Sequence, residues 1–249
     1  MKYFDFNFSG KTIEETTADI FNRIKKNEKL YVLTVNSLIV YEYKKIREYH
    51  EAVKKTNYHV PDGVGVLKPL RWIYKKPIPR IAGVDLIYKI CKKSSDEDIP
   101  IYLLGTKEEI IEEARNKLQS IYPNLKIAGY NNGYFEDSDN NLIVKKINES
   151  GAKILFVGMG VPKQDLWIAK NLDNLKINLV MGVGGSFDVI SQKLKRAPNF
   201  YINHNLEWLY RTIQEPRKRM KVIPKIFSYL FSALGYVLKN KKKNKEGDE

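Results

Sequence analysis

The sequence has one cysteine, Cys91, and three histidines, His50, His59 and His204. A single thiol excludes an internal disulfide framework and an all-cysteine zinc site. Three scattered histidines leave little for a histidine-rich metal centre. Neither His59 nor His204 has a partner at ligand spacing, so both read as structural. No run reaches the ~18 uncharged apolar residues of a membrane span. The opening MKYFDFNFSG lacks the basic and apolar regions of a signal peptide. These absences predict a reducing, cytoplasmic compartment. The dinucleotide fingerprint GxGxxG is missing, and no glycine loop ends in the GK[ST] of a Walker A motif. Ordinary NAD enzymes and P-loop NTPases are therefore disfavoured. No internal repeat is evident.

What remains is the composition of a folded chain. Its 249 residues are 43% hydrophobic, 29% charged and 12% aromatic, unlike a disordered chain. There are 43 Lys+Arg against 29 Asp+Glu, a formal charge of +14. Such an excess suggests an anionic partner. Its distribution is uneven. From Lys193 to Lys245 there are 14 basic residues against two acids, Glu207 and Glu215. Residues 1–192 carry 29 basic and 24 acidic groups. The chain therefore divides into a body, 1–195, and a basic appendage, 196–249.

The body reads as α/β, with a Rossmann-like, mostly parallel sheet and helices on both faces. Thr12 and Glu15 form a candidate capping box for a helix to about Lys26. Residues 30–35 (LYVLTV) are a buried strand, followed by a helix from Leu38 to about Lys55. Further strands are expected at 99–104, 125–129, 153–158 and 177–183. Thr106 is the expected cap of the helix after the second run, with Glu109 three residues on. Strands separated by helical segments of 10–20 residues favour a parallel sheet.

Ligands bind such sheets at the carboxyl ends of the strands. That singles out Thr34 and Asn36, Asp62 with Gly63 and Gly65, Gly105 and Thr106, 158–164, and 182–188. Asp62 is a carboxylate on a turn, able to accept a proton or orient a hydroxyl; alternatively, it only ends a strand. In 158–164, Gly158 and Gly160 permit close backbone approach. Lys163 and Gln164 begin the next helix, where exposed N–H groups favour phosphate. In 182–188, Gly182, Gly184 and Gly185 offer amides for an anion nest, or else allow close helix–strand packing. Asp137-Ser-Asp139 resembles a metal-binding DxD string but sits in a polar segment after no strand, and reads as a surface loop.

The appendage has its own pattern. Glu207–Arg211 and Glu215–Arg219 mix aromatic and cationic groups, and arginine can contact a phosphate bidentately. Ile226 to Leu238 then runs 13 residues without a charge. As a helix it covers about 20 Å, short of a bilayer core of about 30 Å. Lys225 precedes it, and Lys239, Lys241, Lys242, Lys243 and Lys245 follow. This fits a helix against an anionic membrane surface. The alternative is a helix packed on the body or on a second copy in a homo-oligomer. An RNA-binding tail explains the lysines but not the apolar run, so nucleic acid is not an expected partner.

Eight ordered segments together resemble the WecG/TagA/CpsF glycosyltransferase family. They are LTVN (33–36), PDGVGV (61–66), RIAGVDL (80–86), YLLGT (102–106), YPNLKIAGYNNGYF (122–135), FVGMGVPKQDLWI (156–168), MGVGGSFDVISQKLKRAPNF (181–200) and LEWLYRTIQEPRKR (206–219). The resemblance implies an enzyme peripheral at the inner face of the plasma membrane. It would move a sugar from a UDP-sugar to an undecaprenyl-diphosphate-linked acceptor. One branch transfers N-acetylmannosamine in wall teichoic acid synthesis, with inversion to a β linkage; another uses N-acetylmannosaminuronic acid. The lysine-rich sequence and basic appendage look more like the first. A non-enzymatic membrane or RNA adaptor is the contrasting reading, but it leaves the strand-end residues without a role.

The resemblance also assigns roles. Asp62 would be the general base, and Thr34 and Asn36 would position sugar hydroxyls. Gln164 would orient the donor sugar or diphosphate. Gly105, Gly158, Gly160, Gly182, Gly184 and Gly185 would admit the nucleotide diphosphate to backbone amides. Charge developing on UDP needs a metal or fixed cations. No metal cluster is convincing, so no cofactor or divalent metal is expected. The cations would be Arg211, Arg217 and Arg219, with Arg80 as a further candidate.

Overall fold

The computed structural model describes residues 1–204 and 206–246, with side chains outside the description at 203, 218, 219 and 241–246. Among the described residues, eight strands run in chain order as β1 (Lys2–Tyr3), β2 (Phe6–Asn7), β3 (Leu30–Val35), β4 (Tyr58–Pro61), β5 (Ile101–Gly105), β6 (Ile127–Asn131), β7 (Ile154–Gly158) and β8 (Leu179–Gly182). β1 and β2 form an antiparallel hairpin. The other six make one parallel sheet in the order β4-β3-β8-β7-β5-β6.

The apolar runs are continuous because both sheet faces are covered. All six residues of β3 are buried, and alternate residues go to opposite cores. Leu30, Val32, Ile154, Phe156, Leu179 and Met181 pack under the helices Ile13–Lys25, Gly83–Asp96 and Glu108–Ile121. Leu33 and Val35 join the opposite face with the helices Ser37–Lys45 and Val64–Tyr74. Tyr31, Leu155, Val157 and Val180 complete it with the helices Asn140–Glu149 and Lys163–Asn171. Each such aliphatic side chain contributes roughly 1.5–3 kcal/mol when fully buried.

Local signals were met in part. The Thr12–Glu15 capping box forms, with both hydrogen bonds present. The single helix expected from Leu38 is instead two, Ser37–Lys45 and Arg47–Lys54, divided at Ile46, whose backbone is extended. Thr106 is not a cap either. It has φ +47°, its N–H donates to Gly158 O at 2.9 Å, and Lys107 takes the N-cap position. The demand of the neighbouring strand end for a hydrogen bond overrides the local capping pattern. Asp137–Asp139 is an exposed 3-10 turn. His59 bonds Thr56 Oγ1 at 2.8 Å, as a structural histidine would.

Beyond residue 195 the chain forms three short helices, Asn199–Asn203, Glu207–Gln214 and Pro216–Met220, then the long helix Ile223–Glu246. The long helix has two faces. Tyr229, Ala233 and Val237, at a spacing of four, are buried, the first two in one cluster with Leu67, Leu70 and the N-terminal hairpin. The Tyr229 hydroxyl donates to Gly65 O at 2.6 Å and meets Tyr3 Oη at 3.0 Å. Lys225 pairs with buried Glu42 at 2.6 Å. Phe227, Leu230, Phe231, Leu234 and Leu238 face outward and are exposed. The inner side of the helix is thus packed on the body, and its outer side is an exposed apolar face. Among the described residues, no helix is long and apolar enough to cross a membrane.

Candidate active site

The strand order sets the selected turns in a row: Asp62 after β4, Asn36 after β3, the 182–185 loop after β8, the 158–160 loop after β7, and Gly105 ending β5. Asn36 caps the helix that follows, its Oδ1 accepting from the N–H groups of Leu38 (3.0 Å) and Ile39 (3.2 Å). Thr34 is buried beneath the start of the helix Gly83–Asp96, where a Cβ on Gly83 would touch it at 3.6 Å. Both residues therefore hold the turn together.

Asp62 is fixed through its backbone. Its N–H donates to Val35 O at 2.9 Å, and Pro61 O accepts from Ile81 N–H at 3.0 Å. Gly63, at φ +82°, then turns the chain into the helix Val64–Tyr74. The Asp62 carboxylate is held more loosely. Oδ1 lies 3.5 Å from Arg80 Nη2, and Oδ2 accepts from Gly83 N–H at 3.4 Å. Burial pushes its pKa up. Arg80 opposes that shift and Glu207 adds to it, leaving the pKa above the usual carboxylate value. A raised, incompletely bonded carboxylate at a strand end suits a proton acceptor.

Arg80 connects this turn to the appendage. Its Nη2 also donates to Glu207 Oε2 at 2.6 Å, and Arg211 Nη2 donates to Glu207 Oε1 at 2.8 Å. Glu207 thus joins Arg80 to Arg211, and Arg80 in turn reaches Asp62, although these residues are widely separated in sequence. Burial alone would raise the Glu207 pKa, but Arg211 and Arg80 outweigh it and hold the carboxyl below its ordinary value. Arg80 also lines an open groove of about 470 Å³ with Asp85, Tyr88, Lys89 and Arg196. Arg217 is exposed on the helix Pro216–Met220. The side chain of Arg219 lies outside the described residues.

The glycines divide into two kinds. A Cβ on Gly105 would lie 2.5 Å from the Gly158 backbone, one on Gly158 2.5 Å from the Phe187 ring, and one on Gly182 2.5 Å from Gln164 Nε2. These three allow the turns to pack on one another. Gly160 (φ +78°) and Gly184 (φ +52°) instead sit at loop tips, with nothing within 4 Å of a Cβ, leaving space above their backbone. A Cβ on Gly185 would meet only Asp188, at 3.5 Å. Gln164 is buried, and its Oε1 accepts from Gly184 N–H at 2.9 Å, so it shapes the loop from below. Lys163 donates to Gly133 O at 3.0 Å.

Two residues here were not among the expected site residues. Glu207 is one. The other is Asp165, fully buried next to Gln164, with Tyr31 Oη 3.1 Å from its Oδ1 and Tyr49 Oη 2.8 Å from its Oδ2. Burial raises its pKa to about 6, against hydrogen bonds from Tyr49, Tyr31 and Gln164. Its position beside Gln164 in VPKQD was the available signal. A carboxyl whose folded pKa is raised contributes stability below its unfolded pKa and loses it as pH rises through the folded one. The stability difference between wild type and Asp165→Asn should therefore move in favour of wild type by roughly 1–1.5 kcal/mol from pH 8 to pH 5. Urea melts of both proteins across that range check this; a pH-independent difference would refute it.

Among the described residues, no group of three or more His, Cys, Asp or Glu side chains is placed to hold a metal ion.

Comparison with known proteins adds to this geometry. Residues 1–244 match the sequence pattern described as "Glycosyl transferase WecG/TagA/CpsF family". Three curated relatives are each called N-acetylglucosaminyldiphosphoundecaprenol N-acetyl-beta-D-mannosaminyltransferase. The Bacillus subtilis (strain 168) protein is 37% identical over 196 residues, covering 78% of this chain and 76% of its own. That of Bacillus spizizenii is 32% identical, covering 81% and 79%. That of Staphylococcus aureus (strain MW2) is 33% identical over 227 residues, covering 90% and 88%.

Proposed function

Because the chain belongs to the WecG/TagA/CpsF glycosyltransferase family, we propose that it transfers N-acetyl-D-mannosamine from UDP-N-acetylmannosamine to undecaprenyl-diphosphate-linked N-acetylglucosamine. The product is a β linkage formed with inversion, an early step of wall teichoic acid synthesis. The observation that carries the chemistry is the Asp62–Arg80–Glu207–Arg211 constellation at one strand end. Asp62 takes the proton from the acceptor hydroxyl as its oxygen attacks the anomeric carbon. UDP departs from the opposite face, so a single displacement inverts the centre. Arg80 and Arg211 stabilise the negative charge gathering on the diphosphate, with Arg217 and Arg219 following on the same segment. The open tips at Gly160 and Gly184 give the nucleotide access to backbone amides. Fixed cations in this role make a divalent metal unnecessary.

The site is assembled from body and appendage together, and the appendage supplies the contact with lipid. The outward apolar face of the helix Ile223–Glu246 lies against the inner face of the plasma membrane, among anionic headgroups. Replacing Phe231, which is 77% exposed, and Leu234 by Glu should lower sedimentation with anionic vesicles by about tenfold, while the melting temperature stays within a degree or two. Equal vesicle binding by the variant would disprove this docking.

The test of the reaction is a donor screen. Purified protein is given a short lipid-diphosphate-N-acetylglucosamine acceptor and UDP-N-acetylmannosamine, UDP-N-acetylmannosaminuronic acid or a UDP-hexose, each with and without EDTA. Transfer from the first donor alone, undiminished by EDTA, is the expected result. Transfer only from another donor would place the chain in another branch of the family, and loss in EDTA would remove the metal-free scheme.

A further inference from the structure

Glu207 joins two arginines that lie far apart in the sequence. Each of its oxygens accepts from a different guanidinium, Oε2 from Arg80 and Oε1 from Arg211. The Glu207 side chain is only 14% exposed. The cluster is balanced in charge: Asp62 and Glu207 against Arg80 and Arg211. Arg80 keeps binding capacity, since its side chain is 23% exposed and its contacts with Asp62 and Glu207 both use Nη2. A guanidinium offers five N–H donors.

We infer that Glu207 is a positioning residue that holds Arg80 and Arg211 together as a two-armed clamp for a diphosphate. The inference rests on the proposed transfer, in which UDP is the leaving group. Arginine side chains lose rotamer entropy when a ligand fixes them. A carboxylate that fixes two of them beforehand removes that cost from the binding step. It also keeps the cations where charge develops, without reorganisation during the reaction. The remaining Nη N–H groups of both arginines are then available to phosphate oxygens. The opposite arrangement is a placeholder, in which Glu207 occupies the cations and must leave before a diphosphate enters. The two make opposite predictions.

Calorimetry with UDP, UMP and inorganic pyrophosphate on the full chain, Glu207→Ala and Glu207→Gln separates them, with kcat, KM and melting temperature measured alongside. In Glu207→Ala, affinity for UDP and pyrophosphate should fall about tenfold or more while UMP changes by less than about threefold. The preference for UDP over UMP therefore shrinks, and kcat falls. Glu207→Gln, which keeps one carbonyl acceptor, should be intermediate. The acid limb of the rate profile should move to lower pH in both variants. Asp62 is faced by Arg80, Arg211 and Glu207, and only the negative neighbour has been removed. Tighter UDP binding, or none of these changes, would overturn the clamp. So would equal losses for UDP and UMP accompanied by a lower melting temperature. Wild-type protein that binds pyrophosphate but not UDP would refute the nucleotide reading and leave the clamp standing. Wild-type protein that binds neither would refute the clamp.

Discussion

Replacing Asp62 by Asn should lower turnover by about 10²- to 10⁴-fold, the range that a positioned general base contributes, while UDP still binds. The amide is nearly isosteric and can keep the contact with Gly83 N–H, but it cannot take the acceptor proton. The pH dependence has a definite sign. Activity needs the ionised carboxylate, so it should fall as pH drops through the Asp62 pKa, and burial sets that limb above an ordinary aspartate. Stability runs the other way. A carboxyl with a raised folded pKa favours the native state below its unfolded pKa, and that contribution disappears as pH rises through the folded value. At neutral pH the ionised group is thus a burden on the fold, and Asp62→Asn should melt at the same temperature as wild type or higher. Lost activity together with a lower melting temperature would mark Asp62 as a structural residue instead. Unchanged turnover would refute its role as base.

Gly105→Ala should be the most damaging single methyl in the sheet. The residue has φ +135°, a conformation that costs an L side chain roughly 1–3 kcal/mol, and the new Cβ would lie 2.5 Å from the carbonyl carbon and oxygen of Gly158. Those are backbone atoms of the adjacent strand, paired through the Gly105–Gly158 register and the Thr106 N–H to Gly158 O hydrogen bond. They cannot swing aside as a flexible side chain can. Overpacking adds about 1–3 kcal/mol, for a total of about 2–6 kcal/mol against a typical stability of about 5–15 kcal/mol. Denaturant melts should show a midpoint shift of that size or loss of the folded protein. A variant as stable as wild type would mean that the β5 and β7 ends are not packed as described.

The sheet was legible because its strands are short and almost wholly apolar. LYVLTV and KILFVG could hardly be anything but buried strands once flanked by amphipathic segments. The strand-end rule then led to Asp62, Asn36 and the glycine loops from sequence alone. Local grammar failed where a distant partner decided the outcome. Thr106 carries a capping pattern, yet its backbone is committed to Gly158, 52 positions away. Ile46 breaks a helix that its neighbours would have continued. Glu207 is one acid in a basic stretch, and nothing nearby shows that it receives Arg80, a contact spanning 127 positions. Gln164 and Asn36 were found by position, but their part in holding the turns depends on amides that no linear pattern reveals.

The hydrogen bond between Tyr3 and Tyr229 closes the chain on itself across 226 positions. Synthesis proceeds from the N-terminus, so the hairpin at the start and the helix after Asp62 are made long before their cover exists. Until Tyr229 and Ala233 arrive, Leu67 and Leu70 lack part of their packing and Gly65 O lacks its donor. The nascent protein therefore carries an open apolar seam beside the Asp62 turn until the helix Ile223–Glu246 is translated. Covering that seam thus waits on a helix made more than a hundred and fifty residues later.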